Sequence, residues 1–200
     1  MKDVIRALAI TAFASHPLAA QTVEWEEMSQ GQTADYASKG DPKAAGLEVT
    51  MKVPRSWTAL PGERPHVLVK FINPHAPANC NLLVRALPAA ATAADLADIQ
   101  SSKEIGTTLP DGATLRSFQK TKIDSRPAIE FVYSMPFENA GQSGVLQAVT
   151  YRVLYSKFVI QLGCTVGAFG KGSELDAQFG AYFPLFRRIA NTMIIQNQWQ

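Results

Sequence analysis

Histidine and cysteine are scarce in this chain of 200 residues, with three of the first and two of the second. His16 sits near the N-terminus, in what is read below as a leader, which leaves His66 and His75 for chemistry. His75 stands five residues before Cys80, but a zinc centre asks for three or four such ligands at set spacing. The supply stops at two, so no metal is expected and His75 reads as a loop histidine. The cysteines are not arranged C-x-x-C, which argues against a redox-active pair. No G-x-S-x-G elbow exists, because the glycine-flanked Ser143 and Ser173 lack the strand-to-helix context of a nucleophile. "GAFGKGSE" misses the phosphate-loop register, since Lys171 is followed by Gly172, and reads as a loop leading to Ser173 as a helix N-cap. Paired carboxylates leave no spacing signature. Glu130 and Glu138 flank an expected hairpin, yet Glu130 reads as a surface strand residue. No cofactor is implied, and these absences point away from an enzyme, with a hydrolase kept as the third reading.

Long apolar runs are also missing, and none approaches the roughly 18 residues of a membrane-spanning helix. The run Ala7–Ala14 follows Lys2 and Arg6 and gives way to small residues before Gln21. That is the layout of a secretory signal over residues 1–20, with Leu18 an untypical residue before the cut. An amphipathic N-terminal helix is the alternative, but Ala7–Ala14 lacks a polar face. Without Lys2, Arg6 and Asp3 the remainder carries 17 basic and 16 acidic residues, and only Arg187 and Arg188 are adjacent. Nucleic acid is therefore not an expected partner. A periplasmic or secreted protein without a membrane span is expected.

Residues 21–45 are polar and without sustained periodicity, and read as an extended or mobile arm. Trp25 within it either packs the arm onto the domain or marks a partner contact. Residues 46–200 read as one domain. "LEVTMKVP" alternates apolar and polar residues as a half-buried strand that Pro54 ends. "HVLVKFINP" and "CNLLVRALP" repeat the device, and three strands in a row suggest a meander. Thr92 to Ile105 takes helical spacing, with Thr92 and Asp95 as a capping pair. "ATLRSFQKTKID" with "RPAIEFVYSMPF", and "SGVLQAVTYRVLYS" with "KFVIQLGCTV", read as two long hairpins. The last helix carries Leu175, Phe179, Phe183 and Phe186 on one side, with a kink or break expected at Pro184. The sum is an α+β fold, a twisted antiparallel sheet of about seven strands with helices packed on it.

Strand alternation turns Cys164 to the face of Phe158, Ile160 and Leu162, and Cys80 to that of Leu82 and Val84. Two inward cysteines in an exported chain favour a Cys80–Cys164 disulfide, with buried free thiols as the alternative.

Four stretches carry a family resemblance: "VPRSW", "RPAIEFVYS", "YRVLYSKFVIQLGCT" and "PLFRRIANTMII". Across residues 46–195 the chain resembles the PsbP family, whose fold is shared with a Ran-binding nuclear-import factor and with bacterial exported proteins of unknown role. The resemblance implies an α/β/α-type sandwich and a docking or assembly module rather than a catalyst. It transfers no site residues.

The leading expectation is thus an exported non-enzymatic module that binds a protein partner, in an accessory, chaperone-like or toxin-neutralising role. Trp57 after the strand-ending proline is either core closure or an interface anchor. Candidate contacts lie in three loops: Trp57, Arg64 and His66 in or beside "ALPGERPH", His75 in "NPHAPANC", and Phe137 and Glu138 at "PFENAGQSG". The alternative is a carrier of a small apolar ligand, with a pocket between sheet and last helix lined by Phe179, Phe183 and Phe186.

Overall fold

The computed structural model describes residues 22–100, 102–139, 141–169 and 174–199. The expected signal segment and the Ser173 cap lie outside the described residues. Ten strands and four α-helices follow in chain order: α1 (Val23–Ser29), β1 (Thr33–Ala37), β2 (Val49–Pro54), β3 (Thr58–Pro61), β4 (Val67–Ile72), β5 (Ala78–Ala86), α2 (Ala93–Asp98), α3 (Ser102–Thr107), β6 (Thr114–Ile123), β7 (Arg126–Asn139), β8 (Gln142–Tyr155), β9 (Phe158–Phe169), α4 (Leu175–Asn191) and β10 (Ile194–Ile195).

Seven strands make one antiparallel sheet in the order β3-β4-β5-β9-β8-β7-β6. It is built from two meanders, β3–β5 and β6–β9, whose common seam is the pairing of Ala78–Ala86 with Phe158–Val166. The hairpins form because their turns suit the strand twist. Asp124 and Ser125 both take positive φ, 48° and 64°, as a two-residue turn of the primed type requires. Cys80 and Cys164 face one another across the seam, are fully buried, and are joined by a disulfide.

One face of this sheet is closed by α4 and by a second sheet of order β1-β2-β10. The main core lies between them, filled by Phe71, Leu82, Tyr151, Ile160, Leu162 and Phe186 among others. On the other face Ile105 of α3 packs with Ile129 and Phe131 of β7. The fold is α+β, with layers on both sides of a central sheet.

Several expectations need correction. Residues 21–45 do not form an extended arm: from Thr22 onward, α1 and β1 are part of the fold. Thr22 caps α1 by accepting from the Trp25 amide at 3.2 Å. Met28 is buried, and the Arg188 guanidinium sits 5.2 Å from the Trp25 ring, so Trp25 does pack this segment onto the domain. β2 belongs to the small sheet with β1 and β10 rather than to a three-strand meander, and β3 pairs with β4 in its place. The helix expected over Thr92–Ile105 is two short helices; the Thr92–Asp95 capping box is present. α4 runs unbroken through Pro184. Pro184 and Gly180 are both exposed, so the carbonyl that loses its amide donor faces solvent. Its N-cap is Glu174, without a side-chain bond.

Candidate functional site

The outer face of the large sheet, opposite the main core, runs across β4, β5, β9 and β8. Strand alternation brings Lys70, Ile72, Asn79, Leu83, Gln161, Thr165, Leu146 and Arg152 to that face. α3 packs on its β7 side, and α2 overhangs the end of the face that carries Arg85, Leu154 and Val159. Two cavities open here, toward opposite ends of the strands.

The first, of about 910 Å³, is lined by His66, Arg85, Arg152, Thr108 and Gln161 together with apolar walls that include Leu83, Leu87, Ile99, Leu154 and Val159. Arg152 is 6 % exposed. Its Nε donates to Gln161 Oε1 at 3.0 Å and its Nη1 to Thr108 Oγ1 at 2.9 Å. Its guanidinium carbon lies 5.0 Å from the centroid of the Phe131 ring. Burial, and then the charge of Arg85, lower its proton affinity, yet a guanidinium stays protonated. Among the described residues the ion pairs are Lys39–Glu48, Lys52–Asp35 and Glu130–Arg187, and none involves Arg152. At the mouth stand Asp95 and Asp98 of α2. Hydrogen bonds from Thr92 hold Asp95 below the usual carboxylate range.

The second cavity, of about 920 Å³, gathers Arg64, Lys70, Ile72, Phe137, Leu146 and Phe169. The Phe137 ring lies over glycine: a Cβ at Gly144 would come within 2.6 Å of it, and one at Gly167 within 3.7 Å. On its other neighbour Phe169 the centroid distance is 5.3 Å, and Phe169 is 56 % exposed. The loop between β3 and β4 serves both cavities, sending Arg64 to one and His66 to the other. Lys43 fixes it by donating to the Gly62 carbonyl at 2.5 Å and to those of Arg64 and Val67 at 3.4 Å.

Of the residues singled out in the sequence, Arg64 and Phe137 therefore meet in one cavity and His66 lines the other. His75 and Glu138 are exposed but line neither. Trp57 is only 5 % exposed and packs in the main core, so core closure, and not a surface anchor, is its role; its buried Nε1 has no hydrogen-bond partner among the described residues. The aromatic stripe of α4 lines neither cavity. Phe179 and Phe186 are packed in the core and Phe183 packs against it, with the Arg187 guanidinium 4.8 Å above the Phe183 ring, so the stripe serves the core and not the pocket expected under α4. Glu130 is not a surface residue either. It is 4 % exposed and takes a two-pronged ion pair from Arg187, at 2.9 Å and 2.7 Å, beside the buried Tyr151 hydroxyl. Burial and then the Glu130 charge push the Tyr151 pKa up.

No described carboxylate lies within ion-pairing distance of His66 or His75, so none orients an imidazole as a base. Among the described residues no three His, Cys, Asp or Glu side chains cluster as metal ligands, and no helix is long and apolar enough to cross a membrane. Sequence reading missed Arg152, Lys70 and Phe169. The signal for Arg152 was available: it shares a strand face with Thr150 and Leu154 in the middle of an otherwise apolar strand.

No protein-family model and no curated protein sequence matches the chain. Among solved structures, it is similar to the cyanobacterial PsbP (CyanoP) of Synechocystis, with TM-score 0.52 and 12 % identity over 82 % of this chain and 92 % of that one. The Saccharomyces cerevisiae Ran-binding protein Mog1p gives TM-score 0.49 at 8 % identity, covering 82 % of this chain and 96 % of its own. LpqN of Mycobacterium tuberculosis, involved in cell envelope biogenesis, gives 0.49 at 14 %, covering 88 % and 98 %. The chain has the PsbP-like fold, on the strength of the first of these; function is read from the sites.

Proposed function

We propose that this chain is an exported, non-enzymatic binding module that docks a protein partner on the outer face of its large sheet, where Arg64, Lys70, Phe137 and Phe169 meet. The observation that carries this is the Phe137–Phe169 pair, with Phe169 more than half exposed and two cations lining the same cavity. Aromatic and arginine side chains in a depression are what dominates binding energy at protein interfaces. Neither Arg64 nor Lys70 is in an ion pair with a described residue. The fitting partner segment thus presents an apolar side chain flanked by Asp or Glu. A periplasmic or secreted location is supported by the N-terminal pattern and by the disulfide, which persists in oxidising compartments.

Co-purification from the native envelope tests the reading. The unaltered protein is expected to retain a specific protein that Phe169→Asp and Arg64→Glu both lose while keeping their fold by circular dichroism. Equal retention by the two variants contradicts the proposed surface.

A further inference from the structure

The Arg152 cavity opens at the other end of the strands from that docking surface, and its chemistry is unusual in one respect. A guanidinium that is 6 % exposed sits on a cavity wall, held by two neutral side chains, with no described carboxylate in an ion pair with it. Buried charges are ordinarily paired, and an arginine fork that is already oriented matches a carboxylate in two-pronged geometry. Gln161 and Thr108 occupy Nε and Nη1 and hold the guanidinium plane in place, while Nη2 donates to no other described residue. Beyond the fork the walls are apolar at Leu83, Leu87, Leu154 and Val159, with Arg85 and His66 among them. The volume of about 910 Å³ falls in the range of roughly 300–1,000 Å³ usual for small-molecule sites. At the mouth, Asp95 and Asp98 place negative charge where a polyanion would have to pass.

From this arrangement we propose that the cavity binds an organic monocarboxylate with an apolar chain, its carboxylate on Arg152 and its chain along the Leu83, Leu154 and Val159 wall. The aspartates at the mouth select against ligands with further negative charge. Arg152 is the residue that separates an acid from the corresponding alcohol, and the apolar wall is what separates a medium-chain acid from acetate.

Titration calorimetry on the disulfide-intact protein with decanoate, decanol, acetate and decyl phosphate tests the proposal. Saturable one-to-one binding of decanoate is expected, at least tenfold tighter than decanol or decyl phosphate, with acetate far weaker. Arg152→Met is expected to weaken decanoate at least tenfold and to abolish its preference over decanol, and Arg152→Lys to recover part of it. Leu83→Trp, which fills the cavity from its apolar wall, is expected to weaken both ligands. If Arg152→Met does not fold, the ligand series on the unaltered protein and Leu83→Trp decide the matter. Absence of decanoate binding at millimolar concentration overturns the proposal, as does decanol binding as tightly as decanoate, or unchanged affinity in Leu83→Trp or in folded Arg152→Met.

Discussion

The two meanders of the large sheet meet at a single seam between β5 and β9, and the Cys80–Cys164 disulfide crosses it. Its two ends are 84 residues apart in sequence, so the bridge closes a loop containing α2, α3 and β6–β8. Chain entropy alone gives about 15 cal/mol/K lost by the unfolded state for a loop of this size, or about 4.5 kcal/mol at room temperature. With a guanidinium slope of about 4 kcal/mol per molar, reducing the bridge should lower the unfolding midpoint by about 1 M. The assay is equilibrium unfolding of the same chain oxidised and reduced, followed by tryptophan fluorescence, with a Cys80→Ala, Cys164→Ala double variant as control. Both sulfurs are fully buried, so reduction needs prior unfolding and the reduced sample must be refolded under reductant. A midpoint shift below about 0.3 M with an unchanged slope would refute the view that the bridge stabilises the seam through the unfolded state.

Other consequences are separable from this one. Arg187→Leu leaves the Glu130 carboxylate buried without its cation and should cost about 3 kcal/mol in urea unfolding, while Glu130→Met with Arg187→Leu should come within about 1 kcal/mol of the unaltered protein. Gly144→Ala brings a Cβ within 2.6 Å of both the Phe137 ring and the Ala168 carbonyl oxygen, so it should displace the ring and strain the β8–β9 ladder, weakening partner retention as Phe169→Asp does and lowering the melting temperature; retention at full strength would argue that Phe137 is not a contact. Tyr182, whose hydroxyl sits near Glu24 and Asn73, is pushed up to about 12 by burial and then by the Glu24 charge. Its unfolded value is about 10, so the unfolded chain loses its proton first, and stability is full below pH 10 and falls as pH rises toward 12. Tyr182→Phe should flatten that alkaline limb in thermal melts between pH 9 and 12.

What could be read in advance followed short-range rules. The hairpins β6–β7 and β8–β9 were visible because alternation and turn residues are local, and the inward Cys80 and Cys164 followed from the same alternation. Elements held by distant partners were not visible. β1 reads "TADYA" and is a strand because β2 supplies its ladder; β10 is two residues long and exists only on the other edge of β2. Glu130 alternates onto the core face, and Arg187, 57 positions later, together with Gln119 of β6, makes that burial tolerable. The site was half legible. Arg64, His66 and Phe137 were singled out as loop or turn residues, but the cavities they line also take residues of α2 and α4, which no local pattern encodes. Trp57 and the α4 stripe misled for the opposite reason: large aromatic residues are chemically suited to both interfaces and cores, and here the core claims Trp57, Phe179 and Phe186.

If the outer face of the large sheet is the working surface, Phe169 lies against the partner. A photo-activatable residue placed at Phe169 and, separately, at Asp35 on the exposed edge of the small sheet tests it most directly in the native envelope. The account predicts a discrete covalent adduct from position 169 that Arg64→Glu suppresses, and none from position 35. An adduct from position 35 with none from 169 would contradict it.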